Sequence, residues 1–238
     1  MISNYKTSYR LRTDDYSCHD YVNPYAILDV MQDIAGSHVD SLGVGYEDLK
    51  KMNILWVVLR ERYVVKKRVP LYANFNVTTY PKKKNLVDYD REYVIKDDDG
   101  NALIEAISKW VVVDKDTRRI IPAKRLPFDL STDEKPIFDN IDKLQDFDID
   151  GASVYTYKIE YNDFDHNGHV NNTKYAYMVS NALKLKEDEE IIDYQIDFLH
   201  EIIGYKEVNI YYIRDGKIIY VKGMVDNITS FICKIVLK

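Results

Sequence analysis

Cysteine is scarce in this chain, with only Cys18 and Cys233 among 238 residues. They stand far apart, so the sequence offers no disulfide framework and suits a reducing, cytoplasmic setting. Apolar runs are short, none approaching the roughly 20 residues of a membrane span. The opening Met1-Ile2-Ser3-Asn4-Tyr5-Lys6 lacks the pattern of a signal peptide. Positive charge is not in excess either. The net charge of −6 argues against general nucleic-acid binding, which depends on concentrated cations. No spacing gathers His, Cys and carboxylates into a recognised ligand set, so no metal is expected.

What is present describes a globular protein. Hydrophobic residues make up 46% and charged residues 30%, enough of the former to bury a sizeable core. The length fits two small fused units better than one large enzyme fold. The 21 tyrosines suit an aromatic-rich interior but identify no ligand.

Chemistry concentrates in Asp163-Phe164-Asp165-His166-Asn167-Gly168-His169-Val170-Asn171-Asn172, a polar turn that opens a helix. Tyr175, Met178, Val179, Ala182 and Leu183 follow at the spacing of one apolar helical face. Asn171 or Asn172 then acts as N-cap, its side-chain oxygen accepting a first-turn N–H. Such a turn collects an acid or base, an amide donor and unpaired N–H groups at the positive end of a helix dipole. Hydrolysis of an activated acyl group needs those groups. The plainer alternative makes the same Asp and Asn residues caps and loop formers. Five interlocking polar positions favour the chemical reading.

The segment occurs twice. Asp15, Val22 and Asn23 lie over Asp163, Val170 and Asn171, but Ser17, His19 and Tyr21 replace Asp165, Asn167 and His169. After the first copy, Pro24 starts a helix whose Ile27, Met31, Ile34, Ala35, His38 and Leu42 share one face until Gly43. This pattern is that of an ancestral duplication with one degenerate site.

Strands follow each helix. Ile54–Val65, Phe75–Tyr80, Tyr89–Ile95 and Ala102–Val113 are rich in β-branched and aromatic residues, as are Tyr194–Leu199, Glu207–Arg214, Lys217–Val225 and Ser230–Leu237. Asp99-Gly100 and Asp215-Gly216 mark hairpins. Each half is therefore a helix plus an antiparallel sheet, an α+β class. Pro122 to Asp150 reads as a linker in which Ile137, Phe138, Ile141, Leu144 and Phe147 pack on the surface, with a short helical turn.

Together these features resemble the acyl-acyl-carrier-protein thioesterases of plant plastids and their bacterial relatives, over essentially the whole chain. In the first half the resemblance lies in Gln32-Asp33-Ile34-Ala35, Trp56-Val57-Val58-Leu59-Arg60, Ser108-Lys109-Trp110-Val111-Val112-Val113-Asp114 and Thr117-Arg118-Arg119. In the second, Asp165, Asn167, His169, Val170, Asn171 and Asn172 match the family's Asp-x-Asn-x-His-Val-Asn-Asn. The resemblance implies two tandem hotdog domains, each a curved antiparallel sheet around a central helix. Residues 1–122 would form an N-terminal domain with the degenerate site, 123–150 the linker and 151–238 the catalytic domain.

It further implies hydrolysis of acyl-carrier-protein thioesters to free fatty acid, ending chain elongation in fatty acid biosynthesis. The family's next acidic residue falls on Glu201, giving Asp165, Asn167, His169 and Glu201 as the catalytic set. Ile202 stands where plant enzymes commonly have cysteine, so a cysteine nucleophile at that position is excluded. Substrate contacts would come from Asn171, Asn172 and Trp56, the first domain's helix and the strand around Trp56 forming much of the acyl tunnel. No cofactor is implied, because phosphopantetheine arrives on the carrier protein. Without a Ser/Arg-rich transit extension, the expectation is a bacterial cytoplasmic enzyme, monomer or homodimer.

A thioester carbonyl is already electrophilic, so a site must orient an attacking oxygen, take its proton and stabilise the oxyanion. Asn167 suits the amide-donor or water-positioning role, and His169 passes protons near neutral pH. Asp165 and Glu201 leave two routes open: carboxylate attack through an anhydride, or general-base attack by water. Lys66-Lys67-Arg68, Lys82-Lys83-Lys84 and Arg118-Arg119 could steer an acidic carrier protein, or serve as solvated strand-end charges. His166 fits a solvated turn, His38 a core or tunnel-lining position, and both cysteines ordinary packing. Rival functions are an acyl-CoA thioesterase, a hotdog hydroxyacyl dehydratase and a non-catalytic acyl-binding protein.

Overall fold

The computed structural model describes residues 4–82, 85–130 and 132–238. The chain forms two compact units, Met1–Leu11 with Asp29–Ile141, and Arg12–Leu28 with Asp142–Lys238. This division departs from the expected 1–122, 123–150 and 151–238. Residues 12–28 join the second unit because their side chains pack there: Tyr21 donates its hydroxyl hydrogen to the Glu187 carbonyl at 2.9 Å. The Tyr25 ring meets Tyr177 edge-on at 5.5 Å.

The first unit contains β1 (Tyr5–Arg10), most of α1 (Pro24–Ser41), α2 (Tyr46–Lys51), β2 (Ile54–Val65), β3 (Asn74–Pro81), β4 (Tyr89–Lys96), β5 (Ala102–Asp114) and the short β6 (Ile120–Ile121). Its sheet is antiparallel in the order β1-β3-β4-β5-β2, with β6 on β5. The β4–β5 hairpin turns at Asp99-Gly100 as expected. Gly100 adopts a φ of +84°, which needs a residue without Cβ, and the Asp97 side chain accepts the Asn101 N–H at 2.7 Å.

The second unit contains β7 (Ser153–Lys158), α3 (Asn172–Leu183), β8 (Ile191–Phe198), β9 (Glu207–Asp215), β10 (Ile218–Val225) and β11 (Ile228–Leu237). Its strands run β8-β11-β10-β9-β7, all antiparallel. Tyr175, Ala176, Met178, Val179, Ala182 and Leu183 form the buried face of α3. One close approach fixes the sheet beneath it. A Cβ added to Gly223 on β10 would fall 1.9 Å from the Phe231 ring, so glycine is what lets Phe231 lie flat across that strand.

The linker is fastened rather than free. In the first unit Glu92, fully buried, accepts the N–H groups of Ile137 at 2.8 Å and Phe138 at 2.9 Å. In the second, Asp197 accepts the Leu144 N–H at 3.0 Å, and Gln195 donates to the Asp142 carbonyl at 2.7 Å. Lys222 adds an ion pair to Asp146 at 2.5 Å and stacks over the Phe147 ring. The expected helical turn is the 3-10 turn Ala123–Arg125. No helix among the described residues is long and apolar enough to cross a membrane.

Candidate active site

Two 3-10 turns, Thr13–Asp15 and Tyr161–Asp163, open the two copies of the motif. In each, the aspartate folds back: Asp15 accepts the Arg12 N–H at 2.6 Å and Asp163 the Glu160 N–H at 2.8 Å. The Asn23 and Asn171 N–H groups then donate to the Asp15 and Asp163 carbonyls, both at 2.8 Å. Antiparallel bridges join Tyr16 to Val22 and Phe164 to Val170. Asp20 (φ +61°) and Gly168 (φ +76°) take the same left-handed position, open to Gly and to Asp. The repeated sequence is thus a repeated backbone.

Asp165 organises this loop. Its Oδ1 accepts the N–H groups of Asn167 at 2.8 Å and His169 at 3.2 Å, and its Oδ2 lies 3.4 Å from Asn167 Nδ2. Ser17 does the same in the other copy, its Oγ accepting the His19 and Tyr21 N–H groups at 3.3 Å. Asp165→Ser is therefore expected to stay within about 1 kcal/mol of wild-type stability, whereas Asp165→Ala forfeits about 1–2 kcal/mol. Denaturant titration of the two variants compares them, and equal midpoints would contradict the loop-closing role.

Backbone bonds bring Glu201 to His169. The Ile202 N–H donates to the Tyr175 hydroxyl at 3.2 Å, and its carbonyl accepts the Val170 N–H at 3.0 Å. A bridge also joins His169 to Ile203. As a result Glu201 Oε2 stands 3.6 Å from His169 Nδ1, within ion-pair range and longer than a hydrogen bond. Both side chains reach solvent, 28% exposed for His169 and 38% for Glu201. Ile202, at the family's cysteine position, is buried and acts through its backbone.

Tyr175, on the apolar face of α3, holds the Glu201 segment in place through its hydroxyl, a contact that helical periodicity does not reveal. Burial pushes its hydroxyl pKa up, so the group stays protonated. Its ring meets Phe198 and Phe231 edge-on at 5.4 and 5.3 Å. The available signal was chemical: a tyrosine on an otherwise apolar buried face needs a hydrogen-bond partner for its hydroxyl.

Asn171 is the N-cap of α3, its Oδ1 accepting the Thr173 N–H at 2.9 Å and the Thr173 hydroxyl at 3.0 Å. The Lys174 N–H donates to the Asn171 carbonyl at 3.0 Å. The Asn172 N–H has no acceptor among the described residues and stands at the positive end of the helix. Asp165, Asn167, His169, Asn171, Asn172 and Glu201 thus gather in the second unit.

The other candidates lie elsewhere. Trp56, in the first unit, donates its indole N–H to the Val44 carbonyl at 3.0 Å and packs edge-on to Tyr89 at 5.2 Å. Lys82 is not a surface cation as the basic-cluster reading supposed. It is mostly buried, pairs with Glu92 at 3.5 Å and donates to the carbonyls of Phe138 and Asp139. Lys83 and Lys84 lie outside the described residues. Arg118 and Arg119 are exposed, as are Lys124 and Arg125. Cys233 is buried and its thiol pKa is pushed far up by burial, while Cys18 is exposed rather than packed. His38 is buried, as expected. Among the described residues no three His, Cys, Asp or Glu side chains converge to hold a metal ion.

Fold comparison places the chain among double-hotdog proteins. It superimposes with a TM-score of 0.89 on an acyl-ACP thioesterase from Bacteroides thetaiotaomicron, at 18% identity, covering 99% of this chain and 98% of that one. The 12:0-ACP thioesterase from Umbellularia californica gives 0.83 at 19% identity, covering 99% and 97%. Residues 3–125 match the acyl-ACP thioesterase N-terminal domain and residues 148–234 the acyl-ACP thioesterase C-terminal domain, so the chain belongs to the acyl-ACP thioesterase family. A chloroplastic acyl-[acyl-carrier-protein] hydrolase of Cuphea viscosissima is 24% identical over 83% of this chain and 52% of its own length. The palmitoyl-acyl carrier protein thioesterase of Arabidopsis thaliana is 26% identical over 72% and 45%. The chain spans about half the length of these curated relatives.

Proposed function

We propose that this chain hydrolyses acyl-acyl-carrier-protein thioesters, releasing free fatty acid and carrier protein in a bacterial cytoplasm. The observation that carries the reading is the His169–Glu201 pair at 3.6 Å, with Asn167 in the same turn as His169 and the Asn172 N–H open at the start of the α3 that follows it. A thioesterase needs a base for water, a group to steady the charged base, and a donor for the oxyanion. His169 takes a proton from a water oriented by the Asn167 amide, and Glu201 stabilises the resulting imidazolium. The water oxygen bonds to the thioester carbon, whose carbonyl oxygen gains negative charge near the Asn172 N–H. Collapse of the tetrahedral intermediate breaks the C–S bond, and His169 returns the proton to the departing thiolate.

Asp165 serves as positioning residue in this scheme, because one of its oxygens is committed to two backbone amides. An anhydride on Asp165 is the competing route. Single turnover in heavy-oxygen water separates them: water attack labels every product carboxylate. If Asp165 attacks and water opens the anhydride on the enzyme side, the first turnover yields unlabelled product. Reproducible unlabelled product in that turnover would defeat the water route.

The carrier partner is expected to meet exposed Arg118, Arg119, Lys124 and Arg125 on the first unit, since charge complementarity steers an acidic protein. Matched acyl-carrier-protein and acyl-CoA substrates of graded chain length test the function. Comparable or better use of acyl-CoA would reassign the substrate, and retention of the acyl chain without thiol release would mean a binding protein.

A further inference from the structure

The two units line their helices differently. In the second, α3 meets a sheet whose buried side chains include Ile196, Val221, Phe231 and Cys233. In the first, a polar row crosses the sheet. Glu61 on β2 stands in register with Ser108 on β5, and Ser108 with Arg91 on β4, so the three share one face on adjacent strands. That face looks toward α1, because Arg91 Nη1 lies 2.9 Å from His38 Nδ1 on that helix, and 3.2 Å from Thr79 Oγ1. Ser108 Oγ accepts the Trp110 indole N–H at 2.6 Å and shares a hydrogen bond with the Tyr93 hydroxyl at 2.8 Å.

The row is inside the protein, Glu61 being 2% exposed and Arg91 5%. Among the described residues no carboxylate pairs with Arg91, and no hydrogen bond reaches the Glu61 carboxyl. Buried ionisable groups without a counter-charge are costly, and a helix-on-sheet layer does not require them, as the second unit demonstrates. Burial and the nearby Asp29 push the Glu61 pKa up to about 8, so its carboxyl is protonated at neutral pH and offers an O–H. Arg91 contributes further N–H donors from Nε and Nη2. A bare methylene chain laid along this strip would leave those donors unmet, whereas an oxygen on the chain would accept from them.

We propose that Glu61, Ser108 and Arg91 form a specificity site for an oxygen substituent on the acyl chain, a hydroxyl, keto or carboxyl group placed away from the thioester. The inference rests on the reading that the chain takes acyl thioesters and that its first unit receives the acyl group. Its first test is independent of turnover: calorimetric binding of a saturated fatty acid, of hydroxy acids of equal length with the hydroxyl walked from mid-chain to the far end, and of the corresponding dicarboxylic acid.

At least one oxygenated chain is expected to bind tenfold or more tightly than the saturated one. The hydroxy and dicarboxylic arms tell a neutral oxygen from an anionic one. Glu61→Leu should abolish that preference and raise the unfolding temperature, while Glu61→Gln, whose amide still donates, should retain it. Ser108→Ala gives a second route to the same loss should Glu61→Leu fold poorly. Equal or tighter binding of the saturated acid by the unaltered protein overturns the proposal. Parallel hydrolysis of the matching carrier-protein thioesters keeps the two readings apart. Turnover without oxygen preference sinks the specificity site alone, and preference in binding without turnover of any thioester sinks the hydrolase reading alone.

Discussion

Replacing His169 with alanine is expected to lower kcat for thioester hydrolysis by about 10²–10⁴-fold, the usual scale for loss of a positioned acid–base group. KM should change little, since in the proposed scheme the imidazole acts on the water and leaving thiol rather than on the acyl chain. Glu201→Ala should lose part of the same factor, because Glu201 works through the charge on His169 across 3.6 Å. The double variant should then be scarcely slower than His169→Ala alone, as for groups that act as one unit. A folded His169→Ala protein with near-normal turnover, or strictly multiplicative losses in the double variant, would overturn the assignment.

The second large effect concerns stability. Glu92 has no solvent exposure, and it holds two linker amides together with the mostly buried ammonium of Lys82. Glu92→Ala would leave both amides without their acceptor and the ammonium, still bonded to the Phe138 and Asp139 carbonyls, without its counter-charge, and removing one partner of a buried pair costs about 3–5 kcal/mol. Urea unfolding should display the loss as a lower midpoint with little change in slope. Lys82→Glu should be at least as damaging, since it sets two carboxylates against each other. A loss below about 1 kcal/mol in both variants would mean that the linker is not fastened there.

Periodic and punctuated features were legible in the sequence. Both motif helices, both Asp-Gly hairpins and the eight buried strands follow from regular apolar spacing, and β2 occupies Ile54–Val65 as expected. β1 and β7 escaped notice because these edge strands bury few side chains on either face, leaving no alternation to detect. The six-residue α2 is too short to establish a helical period. The site's own residues were visible as a motif, yet their alignment was not. It depends on Tyr175 reaching Ile202 27 positions away, and on Gly223 leaving room for the Phe231 ring that Tyr175 packs against. Partners at that separation follow no local rule. The same holds for Lys82, whose run of like charges suggested solvent while Glu92 drew it inward.

The allegiance of residues 12–28 has a consequence for the order in which the chain can mature. This segment emerges from the ribosome before nearly all of the first unit, yet its lasting contacts, Tyr21 with Glu187 and Tyr25 with Tyr177, are with residues synthesised after that whole unit. Contacts of such sequence separation carry a large loop-closure cost and form late. The second unit thus cannot be completed by its own contiguous sequence, and the degenerate copy of the motif serves as a clasp that closes only once α3 and Glu187 have been made.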